Sequence, residues 1–305
     1  MAKDLMTTRK MQIGQVAPVL GDTYVDVAAN LSRLNHKLYR QGMTYMCKVD
    51  LEPTSAQTVD VYALRPNWIT KRAWQLAFET YLNSTADERA MAKAQGLLGK
   101  WSDFRIDIAA EGAGAGLPFK YSHTRTSSIE QGGEFANSVV GNPDVTGDEM
   151  TFTAVTAGTS TIFNIFGEFD VGYRPPVETT DSEVPTDVAY DGLTASADVN
   201  AEEYENLIDN GNLPPYPRSI EQEASPFIKI GQLKVGAGNG AQGTGKLTTG
   251  YFAAPLGLIV LEQYAPANID AADVIVEVQS GDYKGVNAMP LGVAKKVGKN
   301  EFKVI

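Results

Sequence analysis

MTYMCKVDL at residues 43–51 and TVDVYALR at 58–65 both alternate apolar and polar side chains with a period of two. Successive side chains of a strand point to opposite faces, so each run reads as a half-buried β-strand. The Glu52–Gln57 segment between them, with Pro53 and Ser55, has turn chemistry. Two successive strands joined by so short a loop are expected to pair as a hairpin.

Downstream the rhythm changes. Pro66 and Asn67 open a helix in which Ile69, Ala73, Leu76, Ala77 and Tyr81 form one apolar stripe, widened by Trp74, Phe78 and Leu82. Asn83-Ser84-Thr85 is expected to break it. Thr85 and Glu88 then have capping-box spacing for a second helix over 86–98, stopped by Gly99. The helical insertion thus occupies 67–98. A strand over 101–108 follows, then a loop-rich stretch, then strands at 149–156 and 160–171, the latter containing the aromatic run FNIFGEF.

Residues 174–223 are acidic and Pro-rich at both ends, which reads as a long insertion exposed at the surface. From residue 225 strands crowd together in FIKIGQLKVGAG, LTTGYFAAPLGLIVLEQ, VIVEVQSGDYKG, LGVAKK and FKVI. Nine or ten strands with both helices in one early connection describe a mainly β chain. A parallel α/β fold would alternate strands and helices throughout.

Upstream, residues 1–30 read as an arm and 29–40, ANLSRLNHKLYR, as a short basic amphipathic helix, with Leu31, Leu34 and Leu38 at helical spacing. The arm and helix make up 1–40, and the β domain 41–305. The opening MAKDLMTTRKMQIGQ lacks the apolar core of a secretory signal, so synthesis inside a cell is expected. No run approaches the roughly 18 apolar residues of a membrane helix.

The chemistry-bearing residues are few. Cys47 is the single cysteine, so no internal disulfide can form, and it reads as a strand residue. Only His36 and His123 are available for metal or triad chemistry, and no nucleophile-elbow motif accompanies them. Gly240, Gly245 and Lys246 match phosphate-loop spacing. The next residue is Leu247 instead of Ser or Thr, and the sequence after it reads as strand where a helix is needed. No enzyme activity, metal or cofactor is expected.

The net charge of −11 argues against coating nucleic acid over the whole surface, and leaves room for a local basic face. Lys3, Arg9, Lys10, Arg33, Lys37 and Arg40 are the candidates for phosphate contact without base readout; ordinary surface charges are the other reading. Lys295, Lys296, Lys299 and Lys303 form a second basic group.

The stretches LSRLNHKLYRQGMTY, VYALRPNWITKRAWQLAFETYLNSTADERA, TTGYFAAPLGLIVLEQ and VEVQSGDYKGVNAMPL together resemble capsid proteins of small circular single-stranded DNA viruses. The resemblance covers about half the chain in pieces. It implies a single jelly-roll β-sandwich of two antiparallel four-stranded sheets. It further implies many copies assembling into a non-enveloped, icosahedral shell, a virion location, non-specific contact with a single-stranded DNA genome, and no membrane. Many such proteins carry a strongly basic N-terminal arm, and here the arm is only weakly basic. Other assembly proteins (tail-tube, decoration or filament subunits) share the β-rich pattern. A carbohydrate-binding β-sandwich using the FNIFGEFD aromatics is a further alternative.

Overall fold

A computed structural model describes residues 7–13, 21–52, 58–96, 99, 101–109, 138–141, 149–155, 162–173, 226–234, 247–264, 273–298 and 301–305. Along the chain, β1 (Lys10–Ile13) and β2 (Gly21–Asp26) lead into α1 (Val27–Asn35), then β3 (Met43–Glu52) and β4 (Thr58–Leu64). Next come α2 (Trp68–Ser84), α3 (Ala86–Ala94), β5 (Asp107–Ala109), β6 (Val139–Gly141), β7 (Glu149–Val155), β8 (Ile162–Asn164) and α4 (Ile165–Tyr173). The chain continues through β9 (Phe227–Lys234), β10 (Leu247–Pro255), β11 (Leu258–Tyr264), β12 (Asp273–Val278), β13 (Ala288–Pro290), β14 (Ala294–Lys296) and β15 (Phe302–Val304). The fold is mainly β. No helix among the described residues is long and apolar enough to cross a membrane.

Strands β3 and β4 do not form the expected hairpin. β3 lies in a first sheet of order β1-β12-β3-β10, with β13 pairing its start. β4 lies in a second sheet of order β2-β11-β4-β9. Every pairing within these two sheets is antiparallel. The reason is burial. Tyr45, Cys47, Val49 and Leu51 of β3 meet Val59 and Val61 of β4 in one hydrophobic cluster, which Val25, Ile259, Leu261, Val274 and Val276 complete. Paired side by side, β3 and β4 would bury one face of a ribbon. On separate sheets they bury the same residues against each other.

β10 and β11 also separate, across the turn Pro255-Leu256-Gly257-Leu258. Leu256 (φ 60°) and Gly257 (φ 65°) both take the left-handed conformation, and Gly257 N donates to Ala254 O at 3.0 Å. A Cβ on Gly257 would crowd Val27 and Tyr45, so a glycine satisfies both the turn and the close approach.

The other face of the second sheet is apolar too. Leu64, Leu258 and Val260 join Ala73, Trp74, Ala77 and Leu82 of α2, together with Phe104, Phe152 and Ala154, in a second cluster. Phe152 and Ala154 belong to β7, the centre of a small third sheet in which β5 and β8 run parallel to it and β6 antiparallel. The α2 stripe is as read except at Leu76, which is 46% exposed. Gln75 is buried in its place and donates through Nε2 to Leu291 O at 2.9 Å.

α2 ends at Ser84 as expected, and the Asn83 side chain in that break bonds the backbone of Phe302 in β15. Several local expectations give way to tertiary partners. Thr85 makes no side-chain cap for α3; its hydroxyl donates back to Tyr81 O at 2.6 Å. The strand expected over 101–108 is confined to β5. The strand expected over 160–171 ends at Asn164, whose Oδ1 accepts from Phe166 N and Gly167 N and starts α4.

The boundary at residue 40 also fails. β1 pairs with β12 and β2 with β11, so the first forty residues contribute one strand to each main sheet. α1 is no detached basic helix: Val27, Ala28 and Leu31 lie in the first cluster. By its internal contacts the chain divides into Met1–Phe169 with Ser225–Ile305, and Asp170–Ala224. Of the latter only residues 170–173 are described, and the acidic stretch 174–223 lies outside the described residues.

Candidate nucleic-acid interface

The six basic residues singled out by sequence do not converge as a group. Lys3 lies outside the described residues. Arg9 is half-buried, and its carbonyl accepts from Val278 N at 3.0 Å. Lys10 is ion-paired to Glu277 at 3.7 Å across the β1–β12 ladder. Glu277 in turn meets Lys48 at 3.1 Å, so the charge of Lys10 is answered within the sheet. Arg33 is half-buried in the last turn of α1.

Lys37 and Arg40 behave differently. Asp26 caps α1, its Oδ1 accepting from Ala29 N at 2.9 Å. His36 closes the helix in the left-handed conformation at φ 51°, its N–H bonding Ser32 O. Ser32 then fixes the returning chain: its hydroxyl donates to Ala28 O and accepts from Tyr39 N, both at 2.7 Å. Tyr39 is fully buried, while Lys37 and Arg40 on either side of it are exposed.

A turn from the far end of the chain completes the site. Tyr283 and Val286 exchange both backbone hydrogen bonds at 3.0 Å, and between them Lys284 (φ 52°) and Gly285 (φ 90°) have positive φ, as a tight hairpin turn requires. Tyr39 OH donates to Lys284 O at 2.9 Å, and Arg40 N donates to Tyr283 OH at 3.2 Å. The Lys284 ammonium bonds Leu38 O and lies 5.8 Å from the Tyr39 ring centroid and 5.4 Å from that of Tyr283. Two of the three described non-glycine residues with positive φ, His36 and Lys284, are therefore in this one cluster.

Beneath it sits a buried polar base. Gln41, fully buried, donates through Nε2 to Ile106 O at 3.0 Å and accepts at Oε1 from Ile106 N at 2.7 Å. Arg105, 4% exposed, is paired with Asp26. Asp103 accepts from Gln41 N at 2.8 Å. Burial raises the Asp103 carboxyl above its usual range, against the lowering effect of the Gln41 bond, Arg105 and Arg40. Arg40 thus projects from a segment pinned by hydrogen bonds on both sides.

The electrostatics are those of clustered like charges. Partial burial and then Arg40 lower the Lys284 pKa, Asp103 opposes them, and Lys37 lowers it further. Among the described residues no ion pair joins Lys37, Arg40 or Lys284 to a carboxylate. Three exposed cations held together, none ion-paired to a described carboxylate, can donate hydrogen bonds to phosphate oxygens, and nothing in the arrangement reads a base edge.

Sequence reading missed Lys284, Tyr283 and Tyr39. The usable signal was the Asp282-Tyr283-Lys284-Gly285 turn, which continues a strand in VIVEVQSGDYKG. The other candidates lead elsewhere. Cys47 is fully buried in β3, and burial pushes its thiol far above the usual range, so it is unreactive. His36 is an exposed helix cap, and His123 lies outside the described residues. Gly240, Gly245 and Lys246 also lie outside them, and Leu247 begins β10. Among the described residues no group of three or more His, Cys, Asp or Glu could hold a metal ion. No protein family, no curated protein and no solved structure matches this chain.

Proposed function

We propose that this chain is the structural subunit of a self-assembling, non-enveloped viral capsid, and that its two main sheets form a single jelly roll. The observation that carries the fold is the strand order. Numbered along the two four-strand paths, leaving aside the short β13, β1, β2, β3, β4, β9, β10, β11 and β12 are strands one to eight. The pairs β1–β12, β2–β11, β3–β10 and β4–β9 join first to eighth, second to seventh, third to sixth and fourth to fifth. That nesting is what results when one long antiparallel ribbon is rolled into two facing sheets. The helical insertion interrupts the ribbon between its fourth and fifth strands.

A fold does not dictate an activity, and jelly rolls also serve as lectin domains. Two further features favour a shell. The resemblance to small single-stranded DNA virus capsid proteins spans segments from both ends of the chain. The Lys37, Arg40 and Lys284 cluster suits non-specific contact with a single-stranded genome. The three cations form a compact patch on an acidic subunit, so the genome charge is neutralised only locally by this chain.

Electron microscopy and light scattering of the purified full chain test the assembly. Closed shells are expected; a monomer under all salt and pH conditions overturns the reading. Binding to an oligothymidylate across a salt series tests the cluster. Each phosphate contact contributes about 0.7 to the slope of log K against log salt for single strands. Arg40→Ala and Lys284→Ala are each expected to reduce the slope by about that amount.

A further inference from the structure

The C-terminal hairpin has one finished edge and one unfinished edge. Val293 and Ile305 exchange both backbone hydrogen bonds, at 2.8 and 3.2 Å. In an antiparallel ladder the alternate pairs, here Ala294–Val304 and Lys296–Phe302, then turn their N–H and C=O groups outward. On β15 those groups are taken up by α2. Glu79 Oε2 accepts from Val304 N at 3.1 Å, Asn83 Oδ1 accepts from Phe302 N at 2.8 Å, and Asn83 Nδ2 donates to Phe302 O at 3.3 Å. On β14 no described group meets the outward groups of Ala294 and Lys296, and all three residues of the strand are exposed.

The outer face of the same hairpin is apolar. Val293, Val297 and Ile305 are 58%, 57% and 55% exposed, with Lys295 and Lys303 between them. An open strand edge beside an exposed apolar stripe is what a lone molecule usually avoids. The charge distribution says what fits there. Residues 291–305 carry four lysines and one glutamate, a net +3, so the rest of the chain carries −14.

We propose that the β14 edge is the seat of a second copy of this chain, whose charge outside this hairpin is strongly negative, and which pairs with the backbone of Ala294–Lys296 and covers Val293, Val297 and Ile305. Two copies cannot use this patch symmetrically, because Lys295 and Lys303 would face their own counterparts. The contact is therefore head-to-tail, joining different surfaces of successive copies, and such contacts close into rings when the rotation permits. The lysines repel a second hairpin and attract negatively charged parts of the neighbouring copy, which supplies specificity as well as affinity. This inference rests on the shell reading.

The test is sedimentation velocity of the nuclease-treated full chain, assembled without nucleic acid, with circular dichroism as the folding check. Ala294→Pro removes the outward N–H and leaves the charge unchanged. Lys295→Glu with Lys296→Glu reverses the charge at exposed positions and keeps the test decisive if the proline variant misfolds. Folded variants are expected to need about tenfold or more higher concentration to assemble than the wild type. Variants that assemble as the wild type does overturn the inference and leave the shell reading standing. So does a charge-reversal variant that assembles normally and only binds separately added oligothymidylate more weakly, which would make the lysines a phosphate site. A wild type that never assembles overturns both.

Discussion

The two main sheets differ in what covers their outer faces. Outside the first sheet, Lys10, Glu277, Lys48 and Asp50 form a chain of ion pairs at 3.1 to 3.7 Å across β1, β12 and β3. Outside the second, α2 and the third sheet bury Leu64, Leu258 and Val260. The sequences record the difference. β3 alternates Tyr45, Cys47, Val49 and Leu51 with Lys48 and Asp50, whereas Leu258-Ile259-Val260-Leu261 of β11 is buried throughout. A strand covered on both faces loses the period of two, because neither face selects polar residues. A buried charge on the second sheet is matched: Asp60, 4% exposed, takes Lys229 at 2.5 Å and Gln232 at 2.8 Å.

The severest way to break the comparison is to remove a strand from each sheet. Deleting residues 1–30 takes away β1 and β2. The expected outcome is loss of cooperative folding, read by circular dichroism and thermal melting. A truncated chain that melts as the full chain does would mean that neither strand belongs to the core.

Next comes the cover of the second sheet. Trp74 is 3% exposed, with its ring 5.1 Å from Phe78 and 6.1 Å from Phe104, and it lies against Gly42, where a Cβ would overlap it. Trp74→Ala is expected to cost about 3–5 kcal/mol in urea unfolding. A loss under about 1 kcal/mol would show that the outer face of the second sheet does not depend on α2.

The smallest effect is expected on the first sheet. Partial burial works to raise the Glu277 carboxyl, but the Lys48 hydrogen bond and the charges of Lys48 and Lys10 outweigh it, and the pKa is lowered. A carboxylate with a lowered folded pKa stabilises above its unfolded pKa, and that contribution is lost as pH falls through the folded value. Glu277→Gln should therefore cost about 0.2–1 kcal/mol at neutral pH, weaken with salt, and lessen the loss of stability below roughly pH 4. Asp103, raised by burial, has the opposite sign: its contribution is present below its unfolded pKa and lost as pH rises through the folded one. Urea midpoints across this pH range, compared between Glu277→Gln and Asp103→Asn, separate the two slopes.

Much of the local structure was legible in the sequence. The strands β3, β4, β9 and β12 and the buried stripe of α2 follow from periodicity, which depends on neighbours a few residues apart. Of the site, Lys37 and Arg40 were legible as basic residues beside a helix, while Lys10, of the same type, proved to be paired with Glu277. Residue type reports charge, and only placement reports whether that charge is answered.

Tertiary structure alone decided the rest. Adjacent β3 and β4 go to different sheets, and Lys10 pairs with Glu277 from the far end of the chain. Lys284 meets Arg40 only because the Tyr283–Val286 turn returns beside the end of α1. Asn83 sits in the helix break its sequence suggests, and only the fold brings β15 to its side chain. Each of these outcomes depends on which distant surface is available to bury an apolar face or satisfy a backbone group, and local patterns of hydrophobicity do not encode that choice.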